Sequence, residues 1–83
     1  MKITIKYFAS IRETIGLGHQ TLTTAAVTLA ALRDELIAQG GGHAQALARG
    51  KTLRVAMNQV MADESTVLLD GAEVAFFPPV TGG

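Results

Sequence analysis

The chain has 83 residues, with seven basic and seven acidic side chains, and 48% of it is hydrophobic against 17% charged. That length holds one small core and leaves no room for a catalytic domain beside a binding one, and the composition is that of a globular chain rather than a disordered one. A net charge of zero with scattered Lys and Arg offers no binding surface to nucleic acid or an anionic membrane, and the absence of cysteine excludes disulfides, thiolate metal sites and a thiol nucleophile.

Ile3, Ile5 and Tyr7 alternate with Thr4, Lys6 and Phe8, which predicts a strand with one buried face and places Phe8 on the other. The alternation from Met1 to Lys6 is not the continuous apolar run of a signal peptide, and no stretch approaches the roughly 18 apolar residues of a membrane span. The expected location is therefore the cytoplasm. Ser10-Ile11-Arg12-Glu13 has capping-box spacing ahead of Gly16-Leu17-Gly18, which predicts a single helical turn and then a loop. Gln20 to Thr23 reads as a short strand returning antiparallel to the first, with Leu22 inward.

Thr28 caps the predicted main helix, in which Leu29, Leu32, Leu36 and Ile37 recur at helical spacing while Arg33, Asp34 and Gln39 are read as lying elsewhere around the axis. Gly40-Gly41-Gly42 ends it, and His43 to Arg49 supplies a further short turn anchored by Leu47. Leu53, Val55 and Met57 mark a strand, Asn58-Gln59 a turn, Val60 to Ala62 a short return strand, and Asp63-Glu64-Ser65 an exposed loop. Asp70-Gly71 is a turn signal, and Glu73 to Phe77 is the last strand, with Val74 and Phe76 inward, Phe77 outward and Pro78-Pro79 as its stop. The order of elements predicts an α+β fold, a mixed sheet with one main helix packed across one face.

Catalytic constellations are missing. His19 and His43, beside glycines in expected loops, read as solvated histidines, and no set of ligands has metal spacing. Ser10 and Ser65 have no base at recognisable spacing, Asp63 and Glu64 read as a solvated pair, and the glycine run follows a helix instead of opening one, unlike a phosphate loop.

The carboxyl end differs. Pro78 and Pro79 hold the chain extended after the last strand, Val80 and Thr81 follow, and Gly82 and Gly83 remove every side chain from the terminus. Six such residues span at most about 20 Å, enough to enter a narrow channel and present a carboxylate to a reactive centre. A carboxylate is a poor acyl donor until its oxygen becomes a good leaving group, so such a tail implies a partner that activates it, most simply by transfer of AMP. The expected division is a domain over 1–77 and a flexible tail over 78–83.

The block from Asp70 to Gly83, Asp-Gly-Ala-Glu-Val-Ala-Phe-Phe-Pro-Pro-Val-Thr-Gly-Gly, resembles the terminus of the small subunits of molybdopterin synthase, the sulfur carriers of molybdenum-cofactor biosynthesis. Tyr7 to Glu13 and Val55 to Gln59 are similar to that family's first-strand motif and central strand and turn, so the resemblance spans the chain, with mild departures at Met57 and Ala72. It implies the ubiquitin-like β-grasp fold and a terminal glycine, here Gly83, that is adenylated by an E1-like adenylyltransferase at the expense of ATP. Sulfur from a cysteine desulfurase or rhodanese-like donor would then leave a C-terminal thiocarboxylate, with no cofactor bound permanently. It further implies that the tail delivers this sulfur into the large subunit, where a cyclic pyranopterin precursor gains its dithiolene, and that the chain alone is no enzyme. Hydrophobic contact with partner subunits is implied at Phe8, Met61 and Phe77. Arg12 is a further candidate contact, with an ion pair inside its helical turn as the alternative. A carrier for thiamine or for tRNA thiolation, a ubiquitin-like protein modifier, and an inert-tailed interaction module remain open as other readings of the same tail.

Overall fold

The computed structural model describes residues 1–79. Alternation builds β1 (Lys2–Tyr7), in which Ile3, Ile5 and Tyr7 are buried as expected. The chain then enters α1 (Ala9–Ile15) after a single residue, Phe8, which stands at the N-cap without a side-chain hydrogen bond. The expected capping box at Ser10 is therefore not formed. The Phe8 carbonyl accepts from the Ile11 and Arg12 amides at 3.2 and 3.3 Å, which places Ser10 inside a helix longer than the single turn expected. Gly16, at φ 86°, closes α1 with its N–H on the Arg12 carbonyl.

β2 (His19–Thr23) returns antiparallel to β1 with Leu22 packed against the core. Next comes α2 (Leu29–Ile37), capped by Thr28, whose hydroxyl accepts from the Ala31 amide at 3.1 Å. The glycine run both follows this helix and opens another. Gly40, at φ 78°, is the N-cap of α3 (Gly41–Ala46), a helix where only a turn was expected, and Leu47 beyond it is fully buried. Gly42 also does more than punctuate. A Cβ there would lie 2.5 Å from the Thr14 carbonyl oxygen, so its missing side chain is what lets α3 approach α1.

β3 (Arg54–Met57) and β4 (Val60–Ala62) form a hairpin whose turn residues Asn58 and Gln59 both have positive φ, the mirror-image turn that matches strand twist. β5 (Glu73–Phe77) runs parallel to β1 and antiparallel to β3, which gives the sheet order β2-β1-β5-β3-β4. The first and last strands thus lie side by side at the centre. Ile3, Ile5, Tyr7, Val55, Val74 and Phe76 face one way and meet Leu29, Leu32 and Leu36 of α2, Ile11 of α1 and Leu47 in one core. The expected mixed sheet with a helix across one face is the arrangement found, a ubiquitin-like β-grasp. Among the described residues no helix is long and apolar enough to cross a membrane.

Candidate functional site: the open sheet face and the root of the tail

The alternation that buries Val74 and Phe76 sends Ala75 and Phe77 to the opposite face, which none of the helices covers. The strand register determines what joins them there. Ala75 lies opposite Ala56 of β3, Ala56 lies opposite Met61 of β4, and Phe77 lies opposite Arg54. Tyr7 pairs with Phe76, so the next residues in each strand, Phe8 and Phe77, meet on the open face with ring centroids 6.3 Å apart and planes at 84°. This edge-to-face geometry is one that aromatic pairs prefer.

The result is an apolar stripe of Phe8, just beyond β1, with Phe77 and Ala75 of β5, Ala56 of β3 and Met61 of β4. Phe8 is 46% exposed and Met61 51%, Phe77 is half-buried, and the two alanines form a low floor between them. Phe8 is fixed rather than dangling. Its N–H donates to the Phe76 carbonyl at 3.1 Å and its own carbonyl caps α1, so a large exposed apolar side chain rests on a backbone held at both ends. Such an aromatic, already ordered, binds a partner with little further loss of entropy. The three aromatic and Met candidates read from the sequence therefore share one surface.

Arg12 is exposed on α1, its guanidinium stem lying over Gly18, whose Cβ would stand 3.3 Å from Nε. The ion pair weighed for it is not formed among the described residues. Pro78 and Pro79 are half-buried where β5 ends; Pro78 lines a cleft of about 120 Å³ with α1 and residues 51–53. The candidate positions Val80, Thr81, Gly82 and Gly83 lie outside the described residues. No group of three or more His, Cys, Asp or Glu able to hold a metal occurs among those described.

Three polar residues stand apart from their expected settings. Arg33, read as lying away from the core, is 3% exposed and hydrogen-bonded to three main-chain carbonyls and to Glu64. The signal was present, because position 33 is the i+4 partner of Leu29 and so falls inside the helix's buried stripe. Glu64 is no solvated loop carboxylate but a bridge between Arg33 and Arg49, at 3.0 and 2.6 Å. Arg49 in turn holds Asp34 at 2.8 Å, and that hydrogen bond pulls the Asp34 carboxyl below its ordinary range.

His43 is likewise not a free surface histidine. Its Nε2 lies 2.7 Å from Gln20 Oε1, which also accepts from the Tyr7 hydroxyl at 2.7 Å. Its ring stands edge-on to Tyr7, and partial burial lowers its basicity, while burial pushes the Tyr7 phenol up. His19, expected in a loop, opens β2 and is exposed.

Comparison with known proteins finds relatives along nearly the whole chain. It is 43% identical over 81 residues to the molybdopterin synthase sulfur carrier subunit of Escherichia coli, covering 98% of this chain and 99% of that one. With the protein of the same description from Haemophilus influenzae it shares 41% over 81 residues, again covering 98% and 99%. Among solved structures, SAMP1 from Haloferax volcanii superposes with a TM-score of 0.77 at 26% identity, covering all of both chains. A chain in the protein–protein complex of subunits 1 and 2 of the molybdopterin-converting factor from Helicobacter pylori superposes with a TM-score of 0.68 at 27% identity, also over all of both chains. Residues 5–83 match the ThiS family, and with that match and full-length relatives above 40% identity, the chain belongs to the ThiS family.

Proposed function

We propose that this protein is the sulfur carrier subunit of a molybdopterin synthase, docking on the large subunit through its open sheet face and delivering sulfur from a thiocarboxylate at Gly83. The observation that carries this reading is the 43% identity over 98% of the chain to a sulfur carrier subunit of that enzyme. The solved Helicobacter pylori complex of subunits 1 and 2 supports a second subunit as partner.

The chemistry follows from the terminal carboxylate. One carboxylate oxygen attacks the α-phosphorus of ATP in an E1-like enzyme and expels pyrophosphate, leaving an acyl adenylate. The terminal persulfide sulfur of the donor attacks the acyl carbon and displaces AMP. A second thiol of the donor system cleaves the S–S bond of the acyl disulfide and leaves joined to the donor cysteine as a disulfide, and the thiocarboxylate released presents a sulfur more nucleophilic than the oxygen it replaced. Gly82 and Gly83 carry no side chain that would obstruct a narrow channel, and Pro78 to Thr81 give reach. The chain contributes docking and delivery; bond making occurs in the activating enzyme and in the large subunit, where two sulfurs are needed per pterin dithiolene. No cofactor resides on the carrier in this scheme.

The test is the intact mass of the chain after incubation with the activating enzyme, ATP and a sulfur source. A gain matching replacement of one oxygen by sulfur, lost on deletion of Gly82 and Gly83, is the expected result. No gain with an enzyme active on another carrier would overturn the reading, and covalent ladders of this chain on lysines of other proteins would mark a modifier instead.

A further inference from the structure

We infer that Arg33 is a positioning residue for the tail, setting the direction in which the chain leaves the sheet; the inference rests on the carrier reading above. β5 and β3 pair antiparallel up to Phe77 opposite Arg54. Continuing that register brings Pro78 beside Leu53 and Pro79 beside Thr52. Proline has no N–H, so the ladder's regular pairing cannot be extended from these two residues. What remains to direct the chain is the wall it runs along. Pro78 shares its cleft with Thr52 and Leu53 and with Ser10, Ile11 and Thr14 of α1, and Pro79 shares the adjoining groove with Thr52, Leu53 and Arg54.

The Thr52–Leu53 part of that wall, common to both clefts, belongs to no helix or strand. The chain from Leu47 to Lys51 that leads into it is held by the Arg33 guanidinium, whose Nε donates to the Leu47 carbonyl at 2.8 Å and whose Nη2 donates to those of Ala48 and Lys51 at 2.6 and 3.0 Å, beside the segment's own Lys51 N–H to Ala48 carbonyl bond at 2.9 Å. Nη1 donates to Glu64 at 3.0 Å, so the buried cation is paired as well as hydrogen-bonded. A leucine at this place in the buried stripe of α2 would avoid the desolvation of a charge but would take the donor from the Leu47 and Lys51 carbonyls and leave the Ala48 carbonyl with the Lys51 amide alone, at 2.9 Å. A planar fork anchored on a helix fixes the three carbonyls relative to one another, and Thr52 and Leu53 follow directly from the last of them. The path from α2 to the tail is thus Arg33, the 47–51 carbonyls, the Thr52–Leu53 wall and the two prolines.

Arg33→Lys keeps the charge but replaces the fork with a point donor. It is compared with Leu22→Ala, which trims core packing on β2, at the far edge of the sheet. With the activating enzyme and ATP, at a temperature where both variants are folded, Arg33→Lys is expected to lower kcat for adenylation roughly fivefold to tenfold with KM for the carrier within about twofold, because docking survives while the tail is misdirected. Leu22→Ala should leave both constants at native values. An Arg33→Lys kcat equal to native, or a loss matched by Leu22→Ala, overturns the inference. Nuclear Overhauser contacts between the Pro78 ring and the Leu53 methyls give a reading independent of activity. They should weaken in Arg33→Lys and persist in Leu22→Ala, and their persistence in Arg33→Lys overturns the inference too. If the native chain is not adenylated, the carrier reading fails, while these contacts still decide whether Arg33 places Pro78. Should Arg33→Lys not fold, Leu53→Ala removes the wall itself; it is expected to lower kcat in the same way, and a native kcat overturns the inference.

Discussion

The two faces of the central strand β5 put neighbouring phenylalanines to opposite uses. Phe76 is 1% exposed and stacks near Tyr7 in the core, with ring centroids 6.4 Å apart, whereas Phe77 stands on the open face against Phe8. A pleat that alternates every residue lets five residues of strand supply both the floor of the core and the centre of the proposed docking surface. The difference lies in what covers each ring. Helices cover Phe76 within this chain, while among the described residues Phe77 stands beside Phe8, Arg54 and an alanine floor, and the proposed docking would bury that stripe.

The largest effect that sharpens this contrast is Phe76→Ala, expected to cost about 3–5 kcal/mol of unfolding free energy, a large share of what so small a domain has. Chemical denaturation followed by circular dichroism measures it. Phe77→Ala should stay within about 1 kcal/mol of native stability yet weaken large-subunit binding about tenfold or more, as read by calorimetry. Equal stability losses at the two positions would break the contrast. Gly42→Ala acts on neither face of the sheet. The new Cβ meets the Thr14 carbonyl oxygen at 2.5 Å, so α1 and α3 must separate, at about 1–3 kcal/mol in thermal or chemical unfolding.

The smallest expected effect concerns pH. His43 titrates in the unfolded chain near 6.5 and at a lower value when folded, because partial burial disfavours its cation. Below pH 6.5 the unfolded chain therefore binds a proton that the native one does not. Its contribution is absent above that pH, and stability falls as pH drops toward the folded value. His43→Gln should remove that part of the slope in denaturation series between pH 7.5 and pH 5, an interval chosen to bracket a histidine titration. An unchanged slope would place the imidazole in solvent after all.

Strand alternation at Ile3-Ile5-Tyr7 and at Val74-Phe76 was readable in the sequence because a period of two says directly which side chains share a face. The same parity placed Phe8 and Phe77 outward, and the Thr28 cap and the Asn58-Gln59 turn carried their own local chemistry. Contacts between distant segments were not readable. Ser10 has the spacing of a cap, but α1 starts from Phe8 because that residue is held by the Phe76 carbonyl, a partner supplied from the far end of the chain. Glu64 reads as a loop carboxylate until Arg33 and Arg49 are brought to it. His43 reads as solvated until β2 supplies Gln20. Arg33 is the intermediate case: helical spacing marks its position as buried, but the three carbonyls that make a buried arginine tolerable come from a segment with no periodic signal.

The most direct test of docking by the open face and delivery by the tail is single-turnover sulfur transfer from the thiocarboxylated chain to the pterin precursor, followed at limiting and at saturating large subunit. Phe77→Ala should be slow when the partner is limiting and recover the native rate when it is saturating, since the docking ring is lost and the tail is intact. A variant as fast as native at both concentrations would contradict the account.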